Sequence, residues 1–182
     1  ETTPIQIKSD HPSQANIDAI RTGSGNIIVY VPQDRYVTTL ESDGQYIDNI
    51  DLSALTELRV LTLKNAGLMT IDLGYNNKLQ KLDLSGNQLR RVDLRGPSSY
   101  FYKSKLSDIN VSHNQLDSLL FNDLYAVRTL NISHNNLNSL DVSDADNLRT
   151  LDISHNKFTR LLLNHSELVE DINASDNALT EV

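Results

Sequence analysis

This chain has no cysteine. Without thiols there is neither a disulfide framework nor a thiolate metal site. A cysteine-free chain suits the cytosol, and it equally suits many exported bacterial proteins. Aromatics are scarce too: seven Tyr and three Phe are the only rings of that kind in 182 residues. A rounded core usually wants more large rings, whereas a core filled in layers by Leu and Ile does not. Positive charge is also short, with 16 Lys and Arg against 24 Asp and Glu, a net charge of −8. That balance argues against general nucleic-acid binding, which leaves a basic footprint, and against docking on anionic lipid. No apolar run approaches the ~18 residues of a membrane span. The first residue is Glu1 rather than Met, so a fragment or a processed product is expected, and a removed signal peptide would account for it.

Catalytic motifs are missing as well. The chain contains no P-loop, no G-x-S-x-G, no H-E-x-x-H and no G-x-G-x-x-G. Aspartates are plentiful, but without a cleft to desolvate them their pKa values cannot be tuned for acid–base work. Asp141, Asp144 and Asp146 miss the spacing of a calcium loop. The expectation is no enzyme activity, no catalytic residue and no cofactor.

What the chain does have is internal repetition. The template L-x-x-L-x-L-x-x-N-x-L fits Leu79, Leu82, Leu84, Asn87 and Leu89. It fits again at Leu106, Ile109, Val111, Asn114 and Leu116, and at Val127, Leu130, Ile132, Asn135 and Leu137. Leu148, Leu151, Ile153, Asn156 and Phe158 follow, then Val169, Ile172, Ala174, Asn177 and Leu179. Upstream, Leu58, Leu61, Leu63, Ala66 and Leu68 fit with Ala in the Asn place. A degenerate copy begins at Val37, with Ser42 and Gln45 at two core positions. The starts fall at 37, 58, 79, 106, 127, 148 and 169, so every step is 21 residues except one of 27. Seven copies in register define a stack of similar turns.

The pattern has a physical cause. The two closely spaced apolar residues form a short strand whose alternate side chains point inward. Turns stacked about 4.8 Å apart pair these strands into a parallel sheet and bury one continuous core. A second apolar pair follows in most copies, as in Ile71 and Leu73 or Leu140 and Val142. It predicts short extended or single-turn segments on the opposite side, because 21 residues leave little room for a helix. The column of Asn87, Asn114, Asn135, Asn156 and Asn177 sits where the chain leaves the strand. A carboxamide there is placed to bond backbone groups of adjacent turns, so this ladder reads as structural.

These residues resemble the leucine-rich-repeat superfamily. The runs VRTLNISHNNLNSLDVSDADN (127–147) and LRTLDISHNKFTRLLLNHSEL (148–168) are similar to the 21-residue class of bacterial surface and secreted proteins, such as internalin repeats and the repeats of Bacteroidetes surface lipoproteins. The resemblance implies an α/β leucine-rich-repeat solenoid of about seven repeats, carrying protein or glycan recognition on its strand face. It implies an extracellular or cell-surface location, with a lipid anchor in the full-length protein as one form of it. Residues 37–182 would form the solenoid and residues 1–36 an N-terminal cap. Within that cap, Ile5 and Ile7 alternate as a strand, a helix capped by Ser13 runs to about Arg21, and Ile27–Val31 is another strand. No C-terminal cap is recognisable, which leaves weak dimerisation through that end, or a monomer, as the expected states.

Candidate contact residues follow from the template. Between the two strand core positions lie Thr62, Asp83, Asn110, Asn131, Asp152 and Asn173; the next position holds Lys64, Ser85, Ser112, Ser133, Ser154 and Ser175. Both columns read as outward-facing, and Asp83, Asn110, Asn131 and Asp152 are the candidates there for a sugar or a polar loop. The 27-residue step carries six extra residues within Arg95–Lys105. Its Tyr100, Phe101 and Tyr102 are consecutive rings suited to anchoring a protein or a sugar. His113, His134 and His155 recur just before the ladder Asn; they are a weak candidate for metal binding or pH sensing. N-x-S matches at Asn110, Asn131, Asn164 and Asn173 would carry glycans in a eukaryotic secretory protein and mean nothing in a bacterial one. The alternative to recognition is a spacer that holds another domain away from a surface.

Overall fold

A computed structural model describes residues 3–9, 18–21, 27–30, 36–95, 105–121, 125–161, 163 and 167–180. The chain begins with β1 (Thr3–Ser9), β2 (Asp18–Arg21) and β3 (Ile27–Tyr30). The repeat then supplies one strand per turn: β4 (Val37–Asp43), β6 (Val60–Lys64), β7 (Lys81–Asp83), β9 (Asp108–Asn110), β11 (Thr129–Asn131), β12 (Thr150–Asp152) and β13 (Asp171–Asn173). Between them lie β5 (Ile47–Ile50), β8 (Arg91–Asp93) and β10 (Ser118–Leu120) on the other side of the turns. The main sheet has the order β1-β4-β6-β7-β9-β11-β12-β13. All of its repeat strands are parallel, and β1 closes one edge antiparallel to β4.

The register follows the template. Leu40, Leu61, Leu82, Ile109, Leu130, Leu151 and Ile172 pair in one row. All but Ile172 are at most 2% exposed, so stacking hides an inner face that a single turn would leave wet. Ile172, in β13, is 40% exposed. The 27-residue step leaves this row intact, because Leu82 pairs with Ile109. On the other side β8 and β10 also pair at a 27-residue offset, Val92 opposite Leu119. The six extra residues are therefore absorbed between Leu94 and Leu106.

That other side contains no helix among the described residues; it consists of β5, β8, β10 and turns. Several of its turns are closed by an aspartate that accepts the N–H two residues on, at Asp51, Asp72, Asp93 and Asp141.

One element differs from the sequence expectation. Residues 18–21 are strand rather than the end of a helix: Asp18 pairs with Tyr30 and Arg21 with Ile27, and β3 in turn pairs parallel with β5. Pairing with a neighbouring strand outweighs the weak local preference for helix. Ser13, where that helix was expected to begin, lies outside the described residues.

Candidate functional site

Each turn leaves its strand through the same bend, and three consecutive positions of that bend decide what the surface offers. The first is the serine column. Ser112, Ser133 and Ser154 are at most 5% exposed, so in these three turns the column does not face outward as its place in the template suggests. The cause is the residue two positions earlier. Asp83 Oδ1 accepts the Ser85 N–H at 3.0 Å and its hydroxyl at 2.6 Å, and Asp152 does the same for Ser154 at 2.9 and 2.6 Å. Asn131 holds Ser133 at 3.0 and 2.8 Å, and Asn110 holds the Ser112 N–H at 3.1 Å. These side chains close an Asx turn on their own backbone. The strand-face candidates Asp83, Asn110, Asn131 and Asp152 thus sit in one column with their inner oxygens already engaged. The D-x-S and N-x-S spacing carried this signal in the sequence.

The second position is backbone-constrained. Asn65, His113, His134, His155 and Asp176 have φ between 51° and 53°, and Gly44 and Gly86 have 74° and 72°. All seven occupy one column in the left-handed region, which Gly, Asn, Asp and His tolerate best. Each N–H from Gly44 to His155 donates to the carbonyl of the serine-column residue in the next turn. A β-carbon on Gly86 would fall 2.1 Å from Asn65 Oδ1, so a side chain there would have to displace that of Asn65.

The three histidines are brought together. His113 and His134 stack with ring centroids 4.1 Å apart and His134 and His155 at 4.0 Å, at interplanar angles of 13° and 15°. His155 Nε2 lies 3.1 Å from Asp176 Oδ2. Loss of hydration in the stack, then the flanking His113 and His155, lower the His134 pKa below its ordinary value. Nitrogen lone pairs lie in the ring plane, and near-parallel rings cannot aim two of them at one ion about 2.0–2.1 Å away. Among the described residues, no group of three His, Asp or Glu could hold a metal ion.

The third position is the ladder. Asn135 Oδ1 accepts the Leu116 N–H of the previous turn at 2.9 Å. Its Nδ2 donates to the carbonyls of Val111, Ile132 and Ser133 at 3.0, 3.0 and 3.1 Å. Asn87, Asn114, Asn156 and Asn177 repeat the arrangement, accepting from Leu68, Leu89, Leu137 and Phe158. Where Ala66 stands in the column, its backbone carbonyl takes the corresponding Ile47 N–H instead, at 2.9 Å.

Beyond the ladder the chain crosses a flank that the sequence reading did not single out. Arg90, Gln115, Asp117, Asn136 and Lys157 line a shallow depression of about 330 Å³ there. All five are exposed. Tyr100, Phe101, Tyr102 and Asn164 lie outside the described residues.

Stacked parallel turns, one aliphatic core and an asparagine ladder bonded to the backbone of adjacent turns define a leucine-rich-repeat solenoid. Two of its turns match leucine-rich-repeat family models, over residues 75–95 and 147–167. The functional domain of InlJ from Listeria monocytogenes, a structure noted for a cysteine ladder, is similar over 78% of this chain with a TM-score of 0.68 and 22% identity. The APL1 leucine-rich-repeat domain is similar over 72% with a TM-score of 0.59 and 23% identity. The matched part of this chain spans 30% and 35% of those two chains. No curated protein matches the sequence.

Proposed function

We propose that this chain is a non-enzymatic recognition module of a secreted or surface-exposed bacterial protein. It holds a protein or glycan partner through its repeat surface and the 95–105 insertion. The observation that carries this reading is the unbroken register of the turns across the 27-residue step, with Leu82 opposite Ile109. Outward side chains are thereby fixed relative to one another, and a preorganised surface loses little freedom on binding. Leucine-rich-repeat solenoids commonly serve as interaction scaffolds of this kind. The consecutive Tyr100, Phe101 and Tyr102 supply the ring-bearing anchors that the strand face lacks.

Surface plasmon resonance tests it, with the intact chain immobilised and separated protein and glycan fractions of cell-surface extracts passed over it. Saturable binding from one fraction is expected. Replacing Tyr100, Phe101 and Tyr102 together by Ala should weaken it roughly tenfold or more, with the urea midpoint unchanged. The engaged strand-face oxygens of Asp83 and Asp152 favour a second reading, a spacer that presents another domain. Absence of saturable binding from either fraction would leave that reading in place of recognition.

A further inference from the structure

The hydrogen-bonding groups of this solenoid are unevenly engaged. On the strand face the inner oxygens of Asp83, Asn110, Asn131 and Asp152 are held by the following serines. The outer atoms are partly coupled as well, with Asn110 Nδ2 donating to Asp83 Oδ2 at 3.4 Å. On the flank the reverse holds. None of the side chains of Arg90, Gln115, Asp117, Asn136 and Lys157 has a hydrogen bond or ion pair to another described residue. The backbone that carries them is nevertheless fixed. Gln115 N–H donates to Leu89 O at 2.9 Å, Asp117 to Arg90 at 3.0 Å, Asn136 to Leu116 at 2.8 Å and Lys157 to Leu137 at 2.8 Å. Polar side chains without a partner among the described residues are thus mounted on a rigid frame around one depression of about 330 Å³, the lower end of the size of ligand sites.

The chemistry of the five groups narrows the ligand. Arg90 and Lys157 only donate, Asp117 only accepts, and the two carboxamides do both. Two cations and one carboxylate leave the depression with one net positive charge, on a chain whose net charge is −8. A single carboxylate is therefore favoured there. A run of them is not, because Asp117 among the lining groups repels a second. No aromatic or aliphatic side chain lines the depression, which makes it a poor seat for a protein hot spot. Hydroxyls that donate and accept at close spacing match Gln115, Asn136 and Asp117.

Resting on the recognition reading above, we propose that this flank is a binding site for an acidic sugar. Arg90 and Lys157 hold its carboxylate; Gln115, Asn136 and Asp117 hold its hydroxyls.

The test is a titration of the intact ¹⁵N-labelled chain followed by NMR, with four probes. They are a glucuronic-acid-containing disaccharide, its neutral glucose counterpart, an oligoglutamate peptide and a sulfated polyanionic glycan. The expected result is saturable shifts at the side-chain amides of Gln115 and Asn136 with the acidic disaccharide, at an affinity on the order of 1 mM or tighter. The neutral counterpart should bind roughly tenfold more weakly, as should Arg90→Gln or Lys157→Gln with the acidic one. Asp117→Asn should raise affinity for the polyanionic glycan. Three results would each overturn the proposal: no saturable shift at these amides, affinity indifferent to both cation variants, or tighter binding of oligoglutamate than of the sugar. The surface-extract experiment separates this from the wider reading. If an Arg90→Gln/Lys157→Gln chain still captures its partner, the flank site falls and recognition stands; if the unaltered chain captures nothing, recognition itself falls.

Discussion

Asn135 and Asn136 are neighbours in sequence and opposites in the fold. The first is 9% exposed, and its carboxamide bridges two turns. The second is exposed and lines the flank. The same contrast runs along the coil. At the interior bend the ladder carboxamides and the Asx oxygens are engaged with backbone groups, while the flank beside it has polar side chains with no partner among the described residues. A solenoid built from copies of one turn separates the two tasks by position within the turn. Polar groups at the bend close the backbone, and those a step past the ladder are left for solvent or a ligand.

Substitution should separate the two regions, and the ladder should respond most. In Asn135→Ala the Leu116 N–H loses its only partner among the described residues, while the three carbonyls keep others from Asn114, Asn156 and His113. One orphaned buried donor plus the lost bonds should cost about 2–3 kcal/mol in urea unfolding. A cost as small as that of a surface change would remove the ladder from the account.

The left-handed column should come next. His134 has φ of 53°, so His134→Val forces a β-branched residue into that region at a cost of about 1–2 kcal/mol. His134→Asn should be close to neutral, since Asn65 already occupies the column at φ 51°. If the two variants unfold at the same urea concentration, backbone conformation is not what selects residues there. On the strand face, Asp152→Ala frees the Ser154 N–H and hydroxyl, with Ser154 only 3% exposed. A loss of about 1 kcal/mol is expected, and a gain would mean that these oxygens are not closing the turn.

Acid should have a smaller effect. The His134 pKa is lowered in the fold by lost hydration and by its stacked neighbours, so the folded chain favours the neutral ring. Its contribution is complete above the ordinary histidine value of about 6.5 and is lost as pH falls through the lower, folded value. Urea midpoints at pH 7.5 and pH 5 should therefore differ, with the acid one lower, and His134→Asn should narrow that gap. An unchanged gap would assign the pH dependence elsewhere. Smallest of all, Gln115→Ala on the flank should leave stability within about 0.5 kcal/mol.

The core was legible from spacing alone. Leu82, Ile109, Leu130 and Leu151 could be placed in one row because a 21-residue period leaves few ways to bury them, and the 27-residue step did not disturb it. The site was less legible. A repeat template marks a position as constrained without saying by what. Ser133 looks outward by alternation, yet the Asn131 carboxamide draws it in. His113, His134 and His155 read as possible ligands, whereas a positive φ accounts for the residue types in their column. The recurring D-x-S and N-x-S pairs and the Gly/Asn/His/Asp column were signals that could have shown this. The flank had no such signal, because Arg90, Gln115, Asp117, Asn136 and Lys157 share no residue type and meet only when the turns stack. Residues 18–21 misled because strand pairing with Ile27–Tyr30 is non-local.

The most direct measurement is side-chain amide hydrogen exchange at Asn135 and Asn136, read from one ¹⁵N spectrum of the unaltered chain. The Asn135 carboxamide protons are expected to be strongly protected and those of Asn136 to exchange as freely as in an unfolded peptide. Equal exchange at the two residues would contradict it.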